Sequence, residues 1–163
     1  MDRDLLEQLY QKYYHAALLY TTALCGSEML AEDIVADAFV KAYLSLPRDL
    51  PSFQYWLLRV CKNLWIDHLR RQRHYGGDIP DTMSDPLTPE LCYITDQRNR
   101  ALWSAVNSLP LHDRELIAAH YFSGLPLRDV AVLMGKSYAA VRQRICRLRQ
   151  ILKKQMEDQG YGF

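Results

Sequence analysis

Four arginines and a glutamine crowd a short stretch near the end of the chain: Arg142, Gln143, Arg144, Arg147 and Arg149, just after Gly135 and Ser137. Cations in that number suit phosphates, and an arginine or glutamine can also pair with the edge of a guanine or adenine. A second set, Tyr55, Arg59, Lys62, Asn63, Arg70 and Arg71, interleaves a ring with cations. Rings stack on unpaired bases while cations track a backbone, which is chemistry for separated strands. A third set, Asp33, Asp37, Val40 and Leu44, is acidic and apolar. Such a stripe repels DNA but fits a helix of another protein.

Enzyme chemistry has no comparable constellation. The chain holds no phosphate-binding glycine loop, no His-Glu-x-x-His and no Gly-x-Ser-x-Gly. Its histidines do not cluster with acids, and Cys25, Cys61, Cys92 and Cys146 lack zinc-ligand spacing. We therefore expect no catalytic residue, no metal, no cofactor and no small-molecule substrate. The cysteines read as free thiols.

Charge is nearly balanced overall, at +1, yet it is unevenly distributed. Residues 1–46 carry −4, residues 47–74 +4, residues 75–99 −4 and residues 124–163 +5. Two basic blocks separated by an acidic one suggest two contacts with a polyanion. No apolar run approaches the ~20 residues that span a bilayer. The start, Met1-Asp2-Arg3-Asp4, lacks the basic-then-apolar order of a secretory signal, so the expected location is the cytoplasm.

The elements that must carry these sets are helices. Leu5, Leu9, Tyr13, Ala16, Tyr20 and Leu24 recur at three- and four-residue steps, marking a first helix. Gly26-Ser27 ends it and caps a second, with Val35, Phe39, Ala42, Tyr43 and Leu46 inward. Pro47 and Pro51 bracket a loop, and Ser52 caps a third helix whose inner stripe is Phe53, Leu57, Val60 and Leu64. Gly76, Gly77, Pro80, Pro86 and Pro89 then interrupt any periodic face, so residues 76–94 read as a linker.

Beyond the linker, Ala101, Leu102, Ala105 and Val106 suggest one helix, and Leu116, Ile117, His120 and Tyr121 the next. Leu127, Val130, Ala131 and Met134 form a short helix that stops at Gly135. Ser137 caps a long last helix with Val141, Ile145, Leu148 and Leu152 inward. A short helix, a glycine turn and a basic second helix are the grammar of a helix-turn-helix. Ser137, Tyr138 and Ala140 would lie at its DNA end, Gln143 and Arg147 at base edges, and Arg142, Arg144 and Arg149 at phosphates. The expected fold is all-α: two small helical domains, residues 1–75 and 95–163, joined by a flexible linker.

These pieces resemble the extracytoplasmic-function (ECF) group of bacterial sigma factors. Residues 31–43, Ala-Glu-Asp-Ile-Val-Ala-Asp-Ala-Phe-Val-Lys-Ala-Tyr, are similar to the family's polymerase-docking helix. The run Phe53-x-x-Trp56-Leu57-x-x-Val60-x-x-Asn63-x-x-x-Asp67-x-x-Arg70-Arg71 resembles its −10 helix. Leu109-Pro110, Arg114 and the stretch Leu125 to Leu152 resemble its −35 domain. Pro126, Asp129, Ala139-Ala140 and Leu148 depart from the usual residues, which bears on the −35 sequence read and not on the family.

The resemblance implies a factor that binds core RNA polymerase and directs promoter-specific initiation. Asp33, Asp37, Val40 and Leu44 would meet the polymerase, Tyr55 to Arg71 the −10 element and Ser137 to Arg149 the −35 element. Members of the family are commonly held inactive by an anti-sigma factor, so such a partner is among those implied. Two rivals are a helix-turn-helix regulator that never joins polymerase and a resolvase-like enzyme. The first needs neither the acidic stripe nor the basic third helix, and the second needs a nucleophile and acid cluster that is missing.

Overall fold

The structure, a computed structural model, describes residues 2–47, 50, 52–74 and 97–161. The stretch read as a linker and both expected domain boundaries lie outside the described residues. Among the described residues seven α-helices follow in order: α1 (Arg3–Cys25), α2 (Glu28–Ser45), α3 (Phe53–His74), α4 (Gln97–Asn107), α5 (Leu111–Ile117), α6 (Leu127–Met134) and α7 (Tyr138–Asp158). A π-helical turn, Ala118–Phe122, continues directly from α5. No strand occurs among the described residues.

Local chemistry sets the helix ends. The Asp2 carboxylate accepts from Asp4 N–H, Ser27 Oγ from Leu30 N–H and Ser52 Oγ from Tyr55 N–H, each at 3.2 Å. Each hydroxyl or carboxylate satisfies a donor that a helix start leaves without an intrahelical partner. Gly26, at φ 72°, closes α1 in the left-handed region, where its N–H reaches Thr22 O at 2.8 Å.

In the first half α1, α2 and α3 pack mutually, burying Val35, Ala38, Phe39 and Ala42 from α2 and Leu57, Leu58 and Cys61 from α3. In the second half α7 lies against α4, α5 and α6 over a stripe of Val141, Ile145, Leu148, Leu152 and Met156. Burial of the Cys61 thiol pushes its pKa up to about 12, so it stays a neutral, unreactive core group.

The halves also pack on each other: α1 meets α5 and the π turn, and α3 meets α6. Buried α1 residues all lie between Ala17 and Leu24, where these elements converge. This is why Leu5, expected inward, is 46% exposed. Tyr43 and Tyr121 are also exposed, contrary to the stripe reading. Tyr43 stands one residue, or about 100°, beyond the buried Ala42. Tyr121 sits in the π turn, whose extra residue shifts the 3.6-residue register outward.

Polar groups seal the contact between halves. Tyr20 OH donates to Glu115 Oε2 at 3.2 Å, and Lys62 Nζ donates to Glu115 Oε1 at 3.0 Å and to Leu133 O at 3.2 Å. Arg114 Nε donates to Ala23 O at 3.0 Å, near the carbonyl end of α1. Ser123 Oγ donates to Ala16 O at 3.1 Å, while Gln54 Nε2 donates to Ser123 O. Burial and then the Glu115 charge push Tyr20 well above the usual phenol range.

Candidate nucleic-acid interface and docking surface

The turn between α6 and α7 aims the basic helix. Gly135 ends α6 at φ 66°, and a Cβ there would meet no atom within 4 Å. Backbone conformation, not space, is what asks for glycine at that point. Lys136 N–H bonds Ala131 O at 3.0 Å and Gly135 N–H bonds Val132 O at 3.1 Å, the paired bonds of a Schellman end. Two residues later Ser137 Oγ accepts from Ala140 N–H at 3.2 Å and starts α7. Its hydroxyl is thus engaged by the backbone, although Ser137, Tyr138 and Ala140 are all exposed. The Arg128 guanidinium lies 5.4 Å from the Tyr138 ring centroid, which steadies the tip of the turn.

Along α7 the inner stripe is buried as expected, and Arg142, Gln143, Arg147 and Arg149 stand exposed. Gln143 and Arg147, one turn apart, border a groove of about 470 Å³ together with His112, Lys136 and Ala140. Arg144 differs from its neighbours. Its Nε and Nη2 donate to Asp113 Oδ1 and Oδ2 at 2.9 and 2.7 Å.

On α3 the expected set divides. Arg59, Asn63, Arg70 and Arg71 are exposed, and Arg59 Nη1 donates to the half-buried Tyr55 hydroxyl at 3.4 Å. Arg70 lies 3.8 Å from Asp67, a solvent-facing pair worth little. Lys62 points instead into the contact between halves, tied to Glu115. Trp56 stacks on Phe53 at 5.8 Å and Trp65 is partly buried against the core.

On α2, Asp33 and Asp37 are exposed beside Val40 and Leu44, which are 55% and 73% exposed. Met29, 76% exposed, continues the same face one turn earlier, a member that residue spacing could have supplied and acidity-first reasoning missed. Large apolar groups left this open on a well-packed helix form the kind of patch that a protein partner can cover. Among the described residues no group of three histidine, cysteine or acidic side chains gathers to hold a metal. No described helix is long and apolar enough to cross a membrane.

Residues 5–75 match the family model for sigma-70 region 2, and residues 99–152 that for sigma-70 region 4. The chain belongs to the sigma-70 family. Within it the chain is an ECF sigma factor, a factor for promoter-specific transcription with RNA polymerase. It is 26% identical to the RNA polymerase sigma-H factor of Pseudomonas aeruginosa, over 96% of this chain and 88% of that one. It is 25% identical to the ECF RNA polymerase sigma factor SigW of Bacillus subtilis, over 96% and 91%. Its fold matches the sigma factor RpoE solved with the anti-sigma factor NepR from Bartonella quintana. That match has a TM-score of 0.70 at 22% identity, covering 96% of this chain and 98% of that one. A second match is CnrH in complex with the cytosolic domain of CnrY, with a TM-score of 0.64.

Proposed function

We propose that three surfaces divide the work of initiation, acting in the cytoplasm and with no catalytic chemistry of the chain's own. The exposed stripe of α2, Met29, Asp33, Asp37, Val40 and Leu44, docks on core RNA polymerase. The outer side of α3, with Tyr55, Arg59, Asn63, Arg70 and Arg71, takes the −10 element, joined by Lys62 once it leaves Glu115. The start of α7, from Ser137 to Arg149, reads the −35 duplex. RpoE is solved with the anti-sigma factor NepR and CnrH with the cytosolic domain of CnrY, and we include an inhibitory protein of the first kind among the partners of this chain.

The observation that carries this reading is the exposed apolar and acidic face of α2, which a DNA-binding regulator acting alone does not need. Asp33→Lys with Asp37→Lys is expected to weaken core binding at least tenfold with helix content unchanged. Unaltered binding by the folded double variant would remove the α2 assignment. Within α7, Arg147→Ala is expected to relax base preference at one or two −35 positions. A bidentate base contact contributes roughly 1–3 kcal/mol of discrimination, whereas a phosphate contact serves all sequences alike. Arg149→Ala should therefore weaken every promoter equally and lower the salt slope of binding by about one. Selection of −35 sequences by polymerase carrying each variant checks it. If Arg149→Ala changes the preference and Arg147→Ala does not, the two roles are reversed.

A further inference from the structure

Arg144 stands among the exposed cations of α7, yet it is the one arginine there that the structure ties to a nearly buried acid. Asp113 lies in the first turn of α5, and its side chain is 9% exposed. Nε and Nη2 of Arg144 meet the two carboxylate oxygens at 2.9 and 2.7 Å, a fork-to-fork pair across 31 residues. Hydrogen bonding by Asp113 raises the Arg144 pKa further above its already high value. Two of the guanidinium's five donors are thus fixed on an acid inside the protein. A phosphate approaching the same group would meet the negative charge of Asp113 a few ångströms behind it.

We propose that Asp113 and Arg144 form a positioning pair for −35 recognition, setting the roll of α7 about its axis without either residue reading DNA. The proposal rests on α7 being the −35 reader. Beneath α7 the stripe of Val141, Ile145, Leu148 and Leu152 supplies burial, which is nearly indifferent to small rotations. A bidentate pair is directional. Gln143 and Arg147 flank Arg144 on the helix, at one residue before and three after, so they turn with it. A roll of about 15° carries a side-chain tip ~6 Å from the helix axis through about 1.5 Å. Base-edge hydrogen bonds tolerate far less than that. Losing the pair therefore degrades what Gln143 and Arg147 can discriminate.

The experiment uses the full chain assembled with core polymerase. Asp113→Ala, Arg144→Ala and the double variant are compared by −35 selection and by binding across a salt series. The expected result is a roughly tenfold loss of discrimination in each single variant at the positions that Arg147→Ala affects. The double variant should be no worse than either single one, and the salt slope should stay unchanged in all three. Reversing the pair as Asp113→Arg with Arg144→Asp should restore most of the preference. If Arg144→Ala lowers the salt slope by about one while Asp113→Ala does not weaken binding, Arg144 is a phosphate contact and the proposal is overturned. Equal weakening on all −35 sequences with intact preference overturns it too, because the pair then only supports folding. Asp113→Asn keeps the shape and one hydrogen bond, so it gives an intermediate loss of discrimination if the alanine variants fold poorly. Arg147→Ala is the control for the underlying reading. Should neither Arg147→Ala nor Arg149→Ala change the preference, α7 is not the reader, a failure distinct from that of the pair.

Discussion

Glu115→Ala is expected to cost about 3 kcal/mol of stability and to loosen the two halves of the chain. The Glu115 side chain is 5% exposed and ties together Lys62, at 3.0 Å, and Tyr20, at 3.2 Å. Removing one partner of a buried pair leaves the other charge desolvated, which typically costs ~3–5 kcal/mol. Lys62 keeps 21% exposure and its bond to Leu133 O, so the lower end of that range applies. Urea unfolding measures the loss, and small-angle scattering or the hydrodynamic radius measures the loosening. Glu115→Gln keeps the side-chain shape and one acceptor oxygen without the charge and should lose less. A loss under about 0.5 kcal/mol with unchanged radius would show that the junction contributes nothing net.

The same junction has a pH signature. Tyr20 has a folded-state pKa raised above 10.0, by burial first and by Glu115 second. A group raised in this way contributes stability that is intact below the unfolded value near 10 and is lost as pH rises through the folded one. Alkaline denaturation should therefore start above pH ~10. The junction also bears on DNA. Lys62 belongs to the residue set proposed to meet the −10 element, and in the structure it is paired with Glu115, so on that proposal it would exchange Glu115 for phosphate.

Much of the fold was legible because its punctuation is local. Gly26-Ser27, Ser52, Gly135 and Ser137 each mark a helix end by backbone conformation or a cap within three residues. The exposed faces of α2 and α7 were legible for a related reason: the opposite stripes, with Val35, Phe39, Val141 and Ile145, are apolar at helical spacing. What periodicity could not supply is pairing between distant residues. Lys62 reads as one more cation until Glu115, 53 residues later, is folded against it. Arg144 reads as one more exposed cation, and nothing in the spacing places Asp113, 31 residues earlier, beside it. Wheel positions give direction from an axis, and they cannot say which other helix waits there.

Trp103 is the largest side chain that stripe reasoning passed over, and its loss should match or exceed that of Glu115. The pattern on α4 gave Ala101, Leu102, Ala105 and Val106, whereas the buried residues are Trp103, Ala105, Val106 and Asn107. A short helix covered by both α5 and α7 buries a face wider than one stripe. Trp103 is fully buried and meets the Phe122 ring edge-on, with centroids 5.0 Å apart and planes at 74°. Trp→Ala in a packed core costs ~3–5 kcal/mol, from lost transfer energy plus the cavity left behind. Domain stabilities are only about 5–15 kcal/mol, so Trp103→Ala should leave the second half marginal. Urea unfolding should show the midpoint fall sharply, and Trp103→Phe should recover roughly half of the loss. Core binding through α2 should persist at low temperature, while transcription that depends on the −35 element falls off first on warming. A loss below about 1 kcal/mol would mean that α4 does not hold the base of α7, and the packing of the second half would need to be redrawn.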